Sequence, residues 1–511
     1  MTSEKAKNFI QNQLFYTILT GFFLTGLVCC QANDKGDTLA KGEALAKSHC
    51  GTCHLLPDPS LLDKKTWREG VLPAMAEQFG IEVLPGNIYL PNKNSTLSGR
   101  EWQTLVTYYE SLAPDSLLQP KLPEPLHDWS VFRIRKPQAD TTAVSSTIMT
   151  AIDPLHKKIY TSDLNDPALY EWDQQLKPKR IAELQTSAVD ITFPSGSPSS
   201  ESFITCMGGM HAADNTRGDV LVMDLSKKSA GKKKIIAHDL IRPIQTRPVD
   251  FNKDGMTDYV ICSFGHNQGG LYLLQQLADR SFKKNTIREV AGATQAVITD
   301  FNKDGWPDIM ALFAHANEGI WIFINDKKGG FTEKNLLRFP AVYGSSSFQW
   351  VDMNKDGNPD IVYTAGDNSD YSRILKPYHG LYIFTNEGQD HFRQTSFYPI
   401  DGCTKAIAAD FDQDGDMDIA AIAFFADLQN NPSQKFLYFE HTGLLKTAFR
   451  THAIPIQKNG RWICMDVNDY DGDGDSDIAL GNFSKGFMNQ ESNIREWDLY
   501  TPFIVLENTT D

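Results

Sequence analysis

The chain has 511 residues, 41% hydrophobic and 22% charged, a composition that excludes a disordered, collagen-like or coiled-coil protein. At about 150 residues per domain it holds several domains or one long repeat array. The formal charge is −15, with 64 Asp+Glu against 49 Lys+Arg, which argues against a nucleic-acid partner. The one dense basic run, 227–234, carries Ser and Gly and reads as a solvated loop.

Lys5 and Lys7 precede an apolar stretch of 15 residues, Leu14–Val28. It is too short to cross about 30 Å of hydrocarbon as a helix and has the length of a secretory-signal core. The stretch closes on Leu27-Val28-Cys29-Cys30. This resembles a bacterial lipoprotein signal, in which a Leu three residues upstream marks the Cys that is lipidated. The resemblance implies a signal peptide over 1–29 and a lipid anchor at Cys30. It also implies a place in the bacterial cell envelope, facing the periplasm or the cell surface. An ordinary cleaved signal or an uncleaved anchor is the alternative. No second stretch of the sequence is long enough to cross a membrane.

Residues 50–54 read Cys-Gly-Thr-Cys-His, the spacing of c-type haem attachment. Two thiols, Cys50 and Cys53, can add across the haem vinyl groups, and His54 follows at once to meet the iron. A zinc site would need a second pair of ligands, but the next His is His127 and the next Cys is Cys206. The surroundings resemble a small monohaem cytochrome c domain over about residues 34–115. A helix is expected from Asp37 to His49, with Gly42 where that family places a glycine against its terminal helix. Ser98-Gly-Arg-Glu101 is a capping box. It opens a helix whose apolar face is Trp102, Leu105, Tyr108, Tyr109 and Leu112. Met75 is the only Met between His54 and Met149, and so the expected sixth iron ligand; packing beside Leu72 and Phe79 is the other reading. Cys206, Cys262, Cys403 and Cys464 are open to disulfides or to burial as free thiols.

Pro114, Pro120, Pro123, Pro125 and Pro137 mark a linker over 116–139. Beyond it a nine-residue pattern, D-x-[DN]-x-D-G-x-x-D, recurs five times at start-to-start distances of 50, 52, 58 and 59 residues. Its candidate cation ligands are Asp250, Asn252, Asp254 and Asp258, then Asp300, Asn302, Asp304 and Asp308, then Asp352, Asn354, Asp356 and Asp360. The last two copies supply Asp410, Asp412, Asp414 and Asp418, and Asp469, Asp471, Asp473 and Asp477. Oxygen ligands at alternate positions converge on one hard cation when the loop curls, and the Gly permits the turn. At position 12, where an EF-hand loop needs an acid, stand Ile261, Ala311, Tyr363, Ala421 and Leu480. The five loops hold 19 Asp against three Lys, a net of −16 that accounts for the charge of the whole chain. Up to five calcium ions are expected there.

Strand-like segments centred on Tyr170, Leu221, Tyr272, Trp321, Tyr382, Tyr438 and Val505 imply seven units of four strands, with Val131–Arg135 closing the ring. The array resembles the FG-GAP/VCBS repeats of integrin-like propellers over about residues 140–511. The expected fold is therefore multidomain: a small all-α cytochrome c-like domain over 30–115, then an all-β seven-bladed propeller. After each loop and its strand stands a polar residue: Asp163 in the first blade, then His211, His266, His315, Asp367, Asp427 and Asn482. Equivalent loops share one rim, so His211, His266 and His315 are candidate acids, bases or metal ligands, with unrelated surface polars as the alternative. Two functions follow. One is a tethered electron carrier whose propeller docks a redox partner protein; the other is an oxidoreductase whose rim oxidises a sugar or alcohol and feeds the haem.

Overall fold

The computed structural model describes residues 36–121, 123–138, 142–193, 201–226, 233–315, 317–369, 372–443, 448–486 and 496–510. The signal segment Leu14–Val28, with Cys29 and Cys30, and most of the basic run 227–234 lie outside the described residues. Among the described residues no helix is long and apolar enough to cross a membrane. The chain divides into two compact units, Met1–Leu117 and Leu118–Asp511.

In the first unit helix α1 covers 36–49 and runs into a 3₁₀ turn at Cys50–Thr52. A short turn, α2 (Lys64–Thr66), continues through a π-helical segment into α3 (Leu72–Gln78). Helix α4 (Gly99–Leu112) opens on the expected capping box, with Ser98 and Glu101 each accepting the other's backbone N–H. It buries Trp102, Leu105, Tyr108 and Tyr109. Leu112 does not join that face; it is 48% exposed because the helix ends there, before Ala113 and Pro114. The helices α1 and α4 cross at Gly42, where an added Cβ would stand 2.4 Å from the Cβ of Tyr108. The unit is not purely helical. Ile81–Leu84 pairs with Ile88–Pro91 as a hairpin, because Gly86 and Asn87 both take positive φ in the turn after Pro85.

The second unit is a propeller of seven four-stranded antiparallel sheets. The blades run Thr147–Glu183, Ala188–Leu240, Pro243–Arg288, Ala293–Arg338, Ser345–Pro399 and Cys403–His452, with Trp462–Asn508 the seventh. Each supplies its strands in sequence order from the axis outward, and every segment expected at a blade centre is a third strand. The seventh blade has only three strands of its own. Its fourth is Phe132–Arg135, paired antiparallel with Phe503–Asn508. Part of the Pro-rich stretch is therefore structural. Leu126 also bridges to His452, and Asp128 meets the His452 ring 2.7 Å away.

Second strands such as Asp308–Phe313 are buried along their whole length, sandwiched between neighbouring blades, whereas fourth strands such as Pro178–Glu183 face outward. Polar side chains of the innermost strands clasp the next blade's backbone. Asp190 accepts from Thr246 N–H, Gln245 from Ala296 N–H, Gln349 from Ala408 N–H and Asp466 from Ile152 N–H. Gln295 accepts from Phe348 N–H and donates to its carbonyl, and Lys405 donates to the carbonyl of Met465. Six of the seven junctions around the axis are closed this way, including the one where the last blade meets the first.

Candidate functional site

Cys50 and Cys53 are both unpaired at the end of α1, Cys50 half-buried and Cys53 exposed. Burial pushes the Cys50 thiol up to about 11. The Nδ1 of His54 lies 3.1 Å from the carbonyl of Leu55. Met75 sits half-buried on α3. Nearby rings form a chain from His49 through Phe79 and Trp102 to Tyr89, and the buried Nε1 of Trp102 has no hydrogen-bond partner. The first unit thus places two free thiols, an imidazole and a cluster of aromatic rings in the same small fold.

The five acidic loops are the turns between first and second strands, all at one end of the propeller. In the loop at Asp250 both carboxylate oxygens are engaged, by the N–H groups of Asp254 at 3.1 Å and Gly255 at 2.9 Å. Position 6 is glycine with φ between 81° and 99° in all five loops. Position 4 also takes positive φ, in Lys253, Lys303, Lys355, Gln413 and Gly472, a demand the motif did not reveal. The carboxylate at position 9 has a second role that spacing did not suggest. Asp258, Asp308, Asp360, Asp418 and Asp477 are fully buried, and each accepts two backbone hydrogen bonds. One comes from position 2 of its own loop, the other from the end of the third strand, as Phe301 and Asn325 donate to Asp308 at 3.0 and 2.8 Å.

In the sixth and seventh blades, ligand atoms of Asp410, Asp412 and Asp418, and of Asp469, Asp471 and Asp477, lie within 4.8 Å of one another. Burial pushes Asp418 up to about 6 and Asp477 up to about 7, against the pull of the N–H groups they accept. Asp475, 4% exposed, has no hydrogen-bond partner for either oxygen. The equivalent Asp416 is paired with Lys355 at 2.6 Å. Such crowding of carboxylates out of water is what a hard cation relieves.

The opposite end holds a cavity of about 890 Å³, to which all seven innermost strands contribute, so it is an axial funnel. His211, His266 and His315 all line it, with Asp367. The rings of His266 and His315 meet edge to face, centroids 5.9 Å apart, and Phe264 lies 5.0 Å from His315. Asp214 reaches from the second blade to accept the N–H groups of His266, Asn267 and Gln268 at 2.8–3.0 Å. Although burial opposes it, those bonds hold Asp214 below the usual carboxylate range. Arg242 lies over Phe264 and donates to the carbonyls of Gly265 and Met210. The three imidazoles are not a metal cluster: among the described residues, three ligating atoms converge only in the two acidic loops named above.

Three members of the expected rim set have other work. Asn482 is fully buried and binds Arg461 N–H and the carbonyls of Asp498 and Thr501. Asp427 and Asp163 close their own loops, on Asn430 and on Ser146 and Asn165. Cys206, Cys262, Cys403 and Cys464 are all unpaired thiols.

Residues 250–311 and 300–363 match the FG-GAP-like repeat. Each match begins at an acidic loop and ends in the second strand of the following blade, so the repeat straddles two blades. The loops at Asp410 and Asp469 have the repeat's buried position-9 carboxylate and its Gly turn as well. No curated protein matches the chain. A solved luciferin-regenerating enzyme is similar over 57% of this chain and 88% of its own, at 9% identity and a TM-score of 0.36. What the repeat and its spacing could not reveal is the funnel's basic lining of Arg242, Arg247, Arg373 and Lys405. Those residues occupy non-equivalent positions and share no motif.

Proposed function

We propose that the chain is an extracytoplasmic c-type cytochrome, lipid-anchored at Cys30 in a bacterial envelope, whose calcium-stiffened propeller docks a redox partner protein. The observation that carries it is Cys50-Gly-Thr-Cys-His54, with both thiols unpaired and the His54 Nδ1 turned to a backbone carbonyl. Cys50 and Cys53 would hold a haem through thioether bonds, with His54 and Met75 as the residues that would bind its iron. Such a group supplies reversible one-electron transfer. Calcium would sit in the five loops, and the unpartnered buried oxygens of Asp410, Asp471 and Asp475 support that reading.

Protein matured alongside haem-attachment machinery should keep its haem through denaturation, and Cys53→Ala should weaken that retention. Haem that extracts freely from the wild type overturns the proposal. A second reading, an oxidoreductase that oxidises a small substrate in the propeller and passes electrons to the haem, is favoured by the gathering of His211, His266 and His315 in one funnel. It requires that an added sugar or alcohol reduce the protein's own haem, and that the triple Ala variant lose this while keeping its spectrum.

A further inference from the structure

We infer that the acidic loop of the seventh blade is a calcium site unlike the other four, in which the side chain of Asp475 is a further ligand and makes it the tightest. The inference rests on the reading of the loops as calcium sites and adds a residue outside their shared ligand set. Position 7 of the loop is Met256, Trp306 and Asn358 in the first three copies, none of them a carboxylate. In the sixth blade it is Asp416, which is paired with Lys355 at 2.6 Å and with the His441 ring at 3.3 Å. In the seventh it is Asp475, 4% exposed, and neither of its oxygens has a partner among the described residues. The charges that act most on it are those of Asp477, Asp473 and Asp471, all of its own loop.

Unmet acceptors are spread unevenly over the five loops. Among the described residues, buried carboxylate oxygens without a partner are Asp471 Oδ1 and both of Asp475 in this loop, Asp410 Oδ1 in the sixth blade, and none in the other three. A carboxylate out of water is costly unless a donor or a cation meets it. The protein's own cations beside this loop are turned elsewhere. Lys157 donates to the carbonyl of Asp471 at 2.9 Å, and Arg133, whose field reaches Asp471 and Asp473, engages Glu507. Where the first three loops carry a Lys at position 4, this one has Gly472. Ligand charge and rigidity set the affinity of such loops, and rigidity also favours this one. The Asp471 carbonyl accepts from Gln174 Nε2 at 3.2 Å, and the Tyr470 hydroxyl donates to the Gln174 carbonyl at 2.6 Å. Arg135 of the closing strand donates to that same carbonyl at 3.1 Å, so a cation held here fastens the last blade where the ring closes on the first.

Calorimetric titration of the chelator-stripped full chain with calcium, read beside thermal melting, tests it. One site should bind about ten times more tightly than the rest. Asp475→Asn should remove that tight step and leave the others, whereas Asp416→Asn should keep it. In chelator the Asp475→Asn variant should melt at or above the wild-type temperature, because the substitution removes a buried charge that nothing else in the chain pairs. A lower melting temperature there would make Asp475 a structural residue. That result, uniform affinity at all sites, a tight step that survives Asp475→Asn, or one lost in Asp416→Asn would overturn the inference and leave calcium binding by the loops standing. Absence of any binding up to about 1 mM calcium would overturn both.

Discussion

Single residues in this protein are constrained by what lies against them. Gly42 leaves no room for a side chain between α1 and α4, so Gly42→Ala should destabilise the first unit by about 1–3 kcal/mol, read by urea unfolding. Asp308 is fully buried and accepts the backbone N–H groups of Phe301 and Asn325. Asp308→Ala should cost about 2–5 kcal/mol even in calcium-free buffer, because each orphaned donor carries its desolvation penalty. A loss seen only when calcium is present would reduce that residue to a ligand. Glu318, fully buried behind the funnel wall, is pushed up to about 8 by burial, although Ser345 N–H and the charge of Lys376 pull the other way. Between pH 4.5 and 8 the unfolded chain has released this proton and the folded one keeps it, so Glu318 makes stability fall as pH rises across that window. Glu318→Gln should flatten that slope in chemical denaturation at a series of pH values.

At the scale of the element, the acidic loop is both a turn and a brace. The D-x-[DN]-x-D-G-x-x-D pattern located all five turns because ligand spacing and a positive-φ glycine are local requirements. It could not show that position 9 ties first, second and third strands together, since its partners lie up to 31 residues away, as with Asp477 and Asn508. Strong chelation should lower the melting temperature of the propeller, with about 2.7 kcal/mol lost for each site that had been at 100 times its Kd. Unchanged melting after chelation would leave the loops as hydrogen-bonded turns. The loops are also joined to one another: Lys253 donates to the carbonyl of Gly305, and Lys355 pairs with Asp416.

For the whole molecule, the decisive device is ring closure. Phe132 from the Pro-rich stretch is 3% exposed and packs on Phe411 and Tyr438, and Arg133 and Arg135 both engage the buried Glu507. Phe132→Ala should cost about 3–5 kcal/mol in propeller stability. A chain beginning at residue 140 should also self-associate, because the strand Phe503–Asn508 then offers an unpaired edge; light scattering would detect it.

Seven units, the place of each acidic loop and the closing strand were legible in the residues alone. Each rests on spacing along the chain, and spacing is set by strand length and turn geometry. The funnel was legible only as three histidines on one rim. Which of the seven expected rim positions face it, and that Arg242, Arg247, Arg373 and Lys405 join them, was decided by closure of the ring. Closure brings together residues more than 250 positions apart, from Asp190 to Cys464, and the field at their meeting point is a sum over side chains that no local pattern contains. The same holds for Asn482, whose polar side chain looked available in sequence and is spent on backbone groups that only the folded ring places beside it.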